Sequence, residues 1–132
     1  KMILEKGPIC FNHNLETVER LQKEVRRGAN YKRSLSLLKK SKDFAPHIQT
    51  KSGIMLGLGE TMDEIKHTIC DLKKIDCDQI TIGQYLRPSL NHLEVKKYWE
   101  PSEFQYLYRF SKELGFKKVS SGSLVRSSYH AG

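Results

Sequence analysis

The sequence predicts an α/β fold in which parallel strands alternate with helices. Two observations support this prediction: short strands rich in apolar and β-branched residues, and segments between them with apolar residues at helical spacing. Strands are expected near residues 9–13, 50–57, 79–86 and 117–120. Because each connection holds a helix, neighbouring strands should be parallel and joined by right-handed crossovers. The order βαβαβα, followed by a short last strand and a carboxy-terminal tail, is that of a partial, or half, TIM-type barrel.

The most informative stretch runs from Thr50 to Thr61, where an apolar strand passes through glycines into a helix start. Its apolar run suits a strand that is buried on both faces. Gly57 and Gly59 have no Cβ, so the backbone there can adopt a positive φ or be approached closely by a ligand. Glu60 lies at the helix mouth and can accept hydrogen bonds. A strand-to-helix turn that binds no ligand explains these residues equally well.

Two helical segments are predicted between the first and second strands. The first should span about 17–27, with Asn14 or Thr17 as its cap. The second should span about 31–42, since apolar residues recur there at helical spacing.

The two later helices have clearer start signals. Thr61 and Glu64 have the spacing of a capping box, in which each side chain satisfies a backbone N–H of the other residue. Pro101 suits the first position of the last helix, and Gly115 suits its end. The residues expected to point inward from that helix are Phe104, Leu107, Tyr108 and Leu114.

Composition places the chain among globular domains. Its 132 residues are 38% hydrophobic, and 23 Lys and Arg against 15 Asp and Glu give a formal net charge of +8. A basic surface favours an acidic partner, although such an excess is more often spread over a solvated face. No aromatic-interleaved RNA-binding pattern and no apolar segment of ~20 residues is present, so we expect neither nucleic acid nor membrane as a partner. The chain opens on Lys1 without an initiator methionine, which leaves room for residues upstream.

The cysteines and histidines form no recognised metal pattern. Cys10, Cys70 and Cys77 lie far apart without a CxxC pair, and the histidines show neither HxxxH nor HExxH spacing. We therefore expect reduced, mostly buried cysteines and no metal site built from His and Cys alone.

Four segments, taken together and in this order, resemble lipoyl synthase, a radical S-adenosylmethionine enzyme. They are Phe11–Thr17, Thr50–Thr61, Thr81–Leu86 and Val125–Ala131. The resemblance extends from about Gly7 to the end of the chain and corresponds to the carboxy-terminal half of that family. A lone glycine turn would be weak evidence, but the joint occurrence is specific.

The resemblance implies a sulfurtransferase that inserts two sulfur atoms into an octanoyl chain on a lysine of a carrier protein. The implied carriers are acidic lipoyl domains or the glycine-cleavage H protein, and the implied electron donor is a flavodoxin or ferredoxin. The implied cofactors are S-adenosylmethionine and two [4Fe–4S] clusters, held in the family by cysteine triplets that this chain lacks. We therefore expect the chain alone to be inactive, and the complete protein to be cytoplasmic in a bacterium or mitochondrial or plastid in a eukaryote.

The resemblance also assigns residues to S-adenosylmethionine. Asn14 and Glu16 match polar positions that can bind the ribose hydroxyls or the methionyl group. Gly53–Glu60 matches the stretch beside the adenine, with Met55 where isoleucine is usual, a change that conserves apolar volume. The full assigned set is Asn14, Glu16, Gly57, Leu58, Gly59, Glu60, Gln84, Tyr85 and Leu86. The ordinary alternatives are a helix cap at Asn14, a solvated Glu16 and a buried Tyr85 with one hydrogen-bond partner.

The tail, residues 122–132, contains the most family-specific segment, Arg126–Tyr129. By resemblance, Ser128, with Ser127 as the alternate, supplies an oxygen ligand to the auxiliary cluster. A hard oxygen ligand is held less tightly by such a cluster than a thiolate, so it can leave when sulfur is transferred. Without the resemblance, two serines in a basic tail would indicate a solvated terminus.

Two other functions compete with this interpretation. A biotin-synthase-like radical enzyme would share the barrel strands but would lack the Arg-Ser-Ser-Tyr tail. A basic, non-enzymatic module that binds anions or acidic proteins would explain the charge and the glycine turn. It would leave the polar run Asn12–Glu16 and the tail without a role.

Overall fold

The computed structural model describes residues 10–25 and 28–125. Its elements in chain order are β1 (Cys10–Asn12), a 3-10 turn (Glu19–Leu21) leading into α1 (Gln22–Val25), α2 (Tyr31–Phe44), β2 (Gln49–Leu56), α3 (Met62–Lys74), β3 (Gln79–Gln84), α4 (Pro101–Leu114) and β4 (Lys118–Gly122). All neighbouring strands are parallel, in the order β1-β2-β3-β4. The predicted α/β class is confirmed, and the open four-stranded sheet is consistent with part of a TIM-type barrel.

The two faces of the sheet differ in character. Ile54 of β2 is in register with Ile82 of β3, which is in register with Ser121 of β4. The Ser121 hydroxyl donates to the carbonyl of Phe104 in α4 at 2.8 Å, so this row faces the helices. The opposite, inner face carries small or polar residues over much of β2, β3 and β4: Gly53, Thr81, Gly83, Ser120 and Gly122.

The helix α3 forms as the sequence predicts. The Thr61 hydroxyl accepts from the Glu64 N–H at 3.2 Å, and the Glu64 carboxylate accepts from the Thr61 N–H at 2.9 Å. Ile65, Ile69 and Leu72 are fully buried against the sheet. Acidic residues in the first turn and lysines in the last turn agree with the helix dipole.

The helices α2 and α4 are confirmed, with one correction. Asn30 caps α2 by accepting from the Arg33 N–H at 2.9 Å, and the helix continues two residues beyond the predicted end. In α4, Phe104 and Leu107 are buried, but Tyr108 is 37% exposed and does not point inward. Tyr108 follows Leu107 directly, so it is rotated by about 100° from the buried stripe.

The start and the cap of the first predicted helix are wrong, and its predicted end lies outside the described residues. The residue before the 3-10 turn is Val18, which makes no side-chain cap hydrogen bond, so neither Asn14 nor Thr17 caps it. The Gln22 amide instead donates to the carbonyls of Leu15 and Thr17, at 2.9 and 2.8 Å. These bonds connect the first turn of the helix to the segment that precedes it.

Two smaller corrections concern a strand end and the cysteines. β3 ends at Gln84, so Tyr85 and Leu86 lie beyond the strand in which they were predicted. Cys77 is buried, whereas Cys10 and Cys70 are only partly buried. Burial raises the pKa of the Cys77 thiol to about 11, so the thiol is protonated at neutral pH.

A buried carboxylate closes the amino-terminal edge of the sheet. Asp78 is 5% exposed, and its Oδ2 accepts from the Thr50 N–H and from the Lys42 ammonium, both at 2.8 Å. Lys117 lies 3.3 Å from the other oxygen. Burial alone would raise the pKa of Asp78, but these donors hold it below its usual value.

An ion pair joins the 3-10 turn to α3, and the same arginine bonds the backbone between β2 and α3. The Arg20 guanidinium donates to both carboxylate oxygens of Glu64, at 2.7 and 3.0 Å, and to the Gly59 carbonyl at 2.9 Å. The hydrogen bond from Arg20 lowers the pKa of Glu64 to about 2. None of the helices in the described ranges is long and apolar enough to cross a membrane.

We predict that Arg20→Met lowers the stability of the chain at neutral pH and that this loss disappears in acid. The folded-state pKa of Glu64 lies below its unfolded value, so the pair stabilises the fold fully above pH about 4.5 and loses that contribution towards pH about 2. Urea midpoints of wild type and variant should therefore differ at pH 7 and converge as pH falls. A difference that stays constant down to pH 2.5 would contradict the pairing.

Candidate functional site

The predicted site residues within the described ranges follow the carboxyl ends of β1, β2 and β3. Asn14 and Glu16 come after β1, Gly57–Glu60 after β2, and Tyr85 directly after β3. The carboxyl ends of parallel strands meet at one edge of a sheet, where ligands of open α/β folds bind. The topology therefore places these three segments on the same edge. Ser127 and Ser128 lie outside the described residues.

The segment after β1 is held to β2 by its backbone. The Glu16 N–H donates to the Gly53 carbonyl at 2.9 Å, and the Glu16 carbonyl accepts from the Met55 N–H at 2.8 Å. Glu16 has a φ of 75°, which is costly for a residue with a Cβ and persists only where its surroundings impose it. Close by in sequence, the Asn14 Oδ1 is buried without a hydrogen-bond partner. An amide oxygen in that state can accept a hydrogen bond from a ligand.

The turn after β2 is organised by the carboxylate of Glu60, which is only 7% exposed. Its Oε2 accepts from the Gly57 N–H at 2.6 Å and from the indole N–H of Trp99 at 2.8 Å. Its Oε1 accepts from the Leu58 N–H at 3.0 Å. Three donors therefore compensate the burial of one charged group. We call Gly57–Glu60 the glycine turn.

The two glycines of the glycine turn have different surroundings. Both have a positive φ, 114° at Gly57 and 113° at Gly59. A Cβ on Gly57 would collide with the Gln84 amide nitrogen and lie 2.6 Å from the Lys97 carbonyl oxygen. A Cβ on Gly59 would meet nothing closer than Lys96 Cγ at 3.9 Å. Gly57 is thus required by protein packing, whereas Gly59 leaves room above its backbone.

The connection from Tyr85 to Glu100 is irregular but well anchored. The Gln84 amide donates to the Lys97 carbonyl and accepts from the Trp99 N–H, both at 2.9 Å. The Lys96 N–H donates to the Gly57 carbonyl at 2.7 Å, and the Tyr85 hydroxyl donates to the Leu93 carbonyl at 2.7 Å. Gln84 and Tyr85 are buried, and Leu86 is 48% exposed. We call residues 85–100 the anchored loop.

Trp99 is the site residue that sequence reasoning missed. It is 6% exposed and lies at the end of the anchored loop, with the Lys97 ammonium 3.8 Å from the ring centroid. It is the only tryptophan of the chain and stands two residues before the last helix begins at Pro101. A lone tryptophan just before a helix is visible in the sequence. Its hydrogen bond to Glu60 is not, because the two residues are 39 positions apart.

The end of β4 also returns to the sheet. A Cβ on Gly83 would collide with the carbonyl oxygen of Val125, so the backbone after β4 lies against the inner face of β3. Over residues 10–25 and 28–125, no three His, Cys, Asp or Glu side chains come together as a metal site.

The described fold is an open parallel α/β sheet, consistent with part of a TIM-type barrel, with a glycine turn and an unpartnered amide oxygen of Asn14 at its candidate ligand edge. No family model matches the chain. Over all 132 residues it is 77% identical to lipoyl synthase 2 of Prochlorococcus marinus subsp. pastoris, covering 44% of that protein. It is 58% identical to lipoyl synthase 2 of a Nostoc species, again covering 44%, and 55% identical over 131 residues to lipoyl synthase of Caldanaerobacter subterraneus, covering 46%.

Over its whole length the chain is homologous to proteins named lipoyl synthase. It spans less than half the length of the curated relatives it matches and corresponds to their carboxy-terminal portion.

We predict that Trp99→Phe destabilises the fold by about 1–3 kcal/mol, because the buried Glu60 carboxylate loses one of its donors while the ring volume is largely kept. The measurement is the free energy of unfolding in urea. Tyr98→Phe is the matched control, since Tyr98 is 67% exposed and should change stability little. Equal effects of the two substitutions would show that the indole hydrogen bond contributes nothing.

Proposed function

We propose that the chain is the carboxy-terminal part of a lipoyl synthase that inserts two sulfur atoms into an octanoyl group on a lysine of a carrier protein. The observation that carries this proposal is the match of nearly all of this chain to part of proteins named lipoyl synthase. The convergence of the three resembling segments within the described ranges on one sheet edge supports it. Because the matched relatives are bacterial, we place the complete protein in a bacterial cytoplasm.

The described residues fit an S-adenosylmethionine site. The open space beside Gly59 admits a flat ring close to the backbone, and the orphaned oxygen of Asn14 can accept from a hydroxyl or an amine. The Glu60 carboxylate already accepts three hydrogen bonds from the protein. We propose that Glu60, Gln84 and Tyr85 serve the cofactor by holding the glycine turn and the anchored loop in place, whereas Asn14 and Glu16 contact it.

The iron–sulfur clusters need ligands that the described residues do not provide. The described residues hold no group of side chains that fits a cluster, and the family's cysteine triplets are absent from this sequence. When bound, the two [4Fe–4S] clusters and S-adenosylmethionine supply the radical and the sulfur for attack on an unactivated carbon. From this chain, we propose Ser128, with Ser127 as the alternate, as an oxygen ligand of the auxiliary cluster.

The test is an anaerobic reaction of the complete protein with an octanoylated lipoyl domain or H protein and a flavodoxin or ferredoxin system. We expect a carrier whose mass increases by two sulfur atoms, as the dithiol form of the lipoyl group, together with 5′-deoxyadenosine. Sulfur insertion into dethiobiotin instead would favour the biotin-synthase-like alternative. Binding of acidic proteins without any cofactor cleavage would favour the non-enzymatic module.

We predict that Gly59→Val in the complete protein weakens S-adenosylmethionine binding about tenfold or more, equivalent to about 1.4 kcal/mol. The side chain would fill the open space beside the backbone. Gly28→Val is the matched control, since Gly28 has a φ of 82°, has nothing within 4 Å of a Cβ and lies outside the glycine turn. Both variants should lose stability through backbone strain, but only Gly59→Val should lose affinity. Equal affinities in a calorimetric titration would make the glycine purely structural.

We predict that Ser128→Ala in the complete protein leaves S-adenosylmethionine cleavage largely intact but impairs lipoyl formation. Loss of the hydroxyl removes the proposed oxygen ligand from the auxiliary cluster without touching the radical-generating one. The measurement is 5′-deoxyadenosine and lipoyl product from one anaerobic reaction, with the iron content of each variant. Ser127→Ala is the control, because only one hydroxyl is the proposed ligand. Wild-type lipoyl yield from both variants would return the tail to a packing role.

A further inference from the structure

The anchored loop exposes several large apolar side chains beside the ligand edge. Leu90 is 85% exposed and Tyr98 is 67% exposed, with Leu86 and Leu93 at 48% and 38%. Hydrophobic residues that stand singly on a surface need no explanation, but a group of them on one segment marks an interaction surface. We call Leu86–Tyr98 the loop rim.

The loop rim is held in a fixed shape. Arg87 donates to the carbonyls of Leu90 and His92, both at 3.0 Å, and Ser89 Oγ lies 2.9 Å from His92 Nδ1. These bonds hold residues 87–92 in a closed turn. The bonds of Lys97 to Gln84 and of Lys96 to Gly57 fix the other end of the loop rim. A pre-organised surface loses little conformational entropy when it binds a partner.

The charge of the loop rim is positive. It contains Arg87, Lys96 and Lys97 against the single acid Glu94, in a chain whose formal net charge is +8. A segment with exposed leucines and a net positive charge is complementary to a partner that presents a small apolar patch within an acidic surface.

We propose that the loop rim is the docking surface for the acidic, folded carrier domain that presents the acylated lysine. The inference rests on the proposed function, since that function requires a protein-borne substrate. The rim is joined by hydrogen bonds to the glycine turn, so a domain bound there would lie beside the ligand edge. Its lysine arm could then reach the carboxyl edge of the sheet, where the glycine turn lies.

The test measures binding of octanoylated H protein to the complete protein by fluorescence anisotropy. Leu90→Ser should weaken binding about tenfold, and Leu90→Glu should weaken it further than Leu90→Lys, because the new charge repels an acidic partner. Binding of a short octanoyl-lysine peptide should not change. Phe44→Ser is the matched control, since Phe44 is 92% exposed but ends α2, which leads to the opposite edge of the sheet.

The outcomes separate the docking inference from the proposed function. Wild-type carrier affinity of the Leu90 variants, with lipoyl product still formed, would overturn the docking surface alone. Failure to form lipoyl product from either carrier or peptide would overturn the function, whatever the affinities are. In the complete protein, a Leu90→Cys thiol should react with a maleimide and become protected when H protein is added. Protection before addition would show that another part of the same chain covers the rim, and the proposal would fail.

Discussion

The candidate site depends on one buried carboxylate. Glu60 accepts from two backbone N–H groups of its own turn and from the indole of Trp99, so one side chain fixes both the glycine turn and the end of the anchored loop. Burying a charged group without such partners would cost several kcal/mol. The glycine turn and the end of the anchored loop therefore stabilise each other through Glu60. If any one of the three donors is lost, burial of the Glu60 carboxylate costs more free energy.

The sheet is closed by buried carboxylates at both ends, with different consequences. At the amino-terminal edge, Asp78 is neutralised by the lysines Lys42 and Lys117 and by the Thr50 N–H. At the carboxyl edge, Glu60 is satisfied by neutral N–H groups, and no lysine or arginine lies within ion-pair distance of it among the described residues. The first arrangement is a locked ion pair that packs strands together. The second holds a carboxylate by neutral N–H groups alone, beside the open space at Gly59.

Local sequence rules predicted the elements that are stabilised locally. The capping box at Thr61, the Pro101 start and the buried face of α3 are each set by residues within four positions of one another, and the structure confirms them. The first helix begins later than predicted, after Val18, and the Gln22 amide bonds it to the preceding backbone. Helix propensity and the spacing of apolar residues do not predict a bond from a side chain to the preceding backbone. The glycine turn could be predicted from its glycines. The close packing of Gln84 and Lys97 against Gly57 could not, because these residues come together only in the folded sheet.

The same hydrogen bonds explain why an irregular stretch of sixteen residues, from Tyr85 to Glu100, can act as part of a rigid site. Long connections without secondary structure are usually the mobile part of a domain, and their position is then a poor basis for precise recognition. Here the loop is bonded to the end of β3 through Gln84, to the Gly57 carbonyl through Lys96 and to Glu60 through Trp99. The glycine turn and the loop rim therefore belong to one structural unit. A cofactor held by the first and a partner held by the second would be placed relative to each other by the sheet edge, without a separate conformational step.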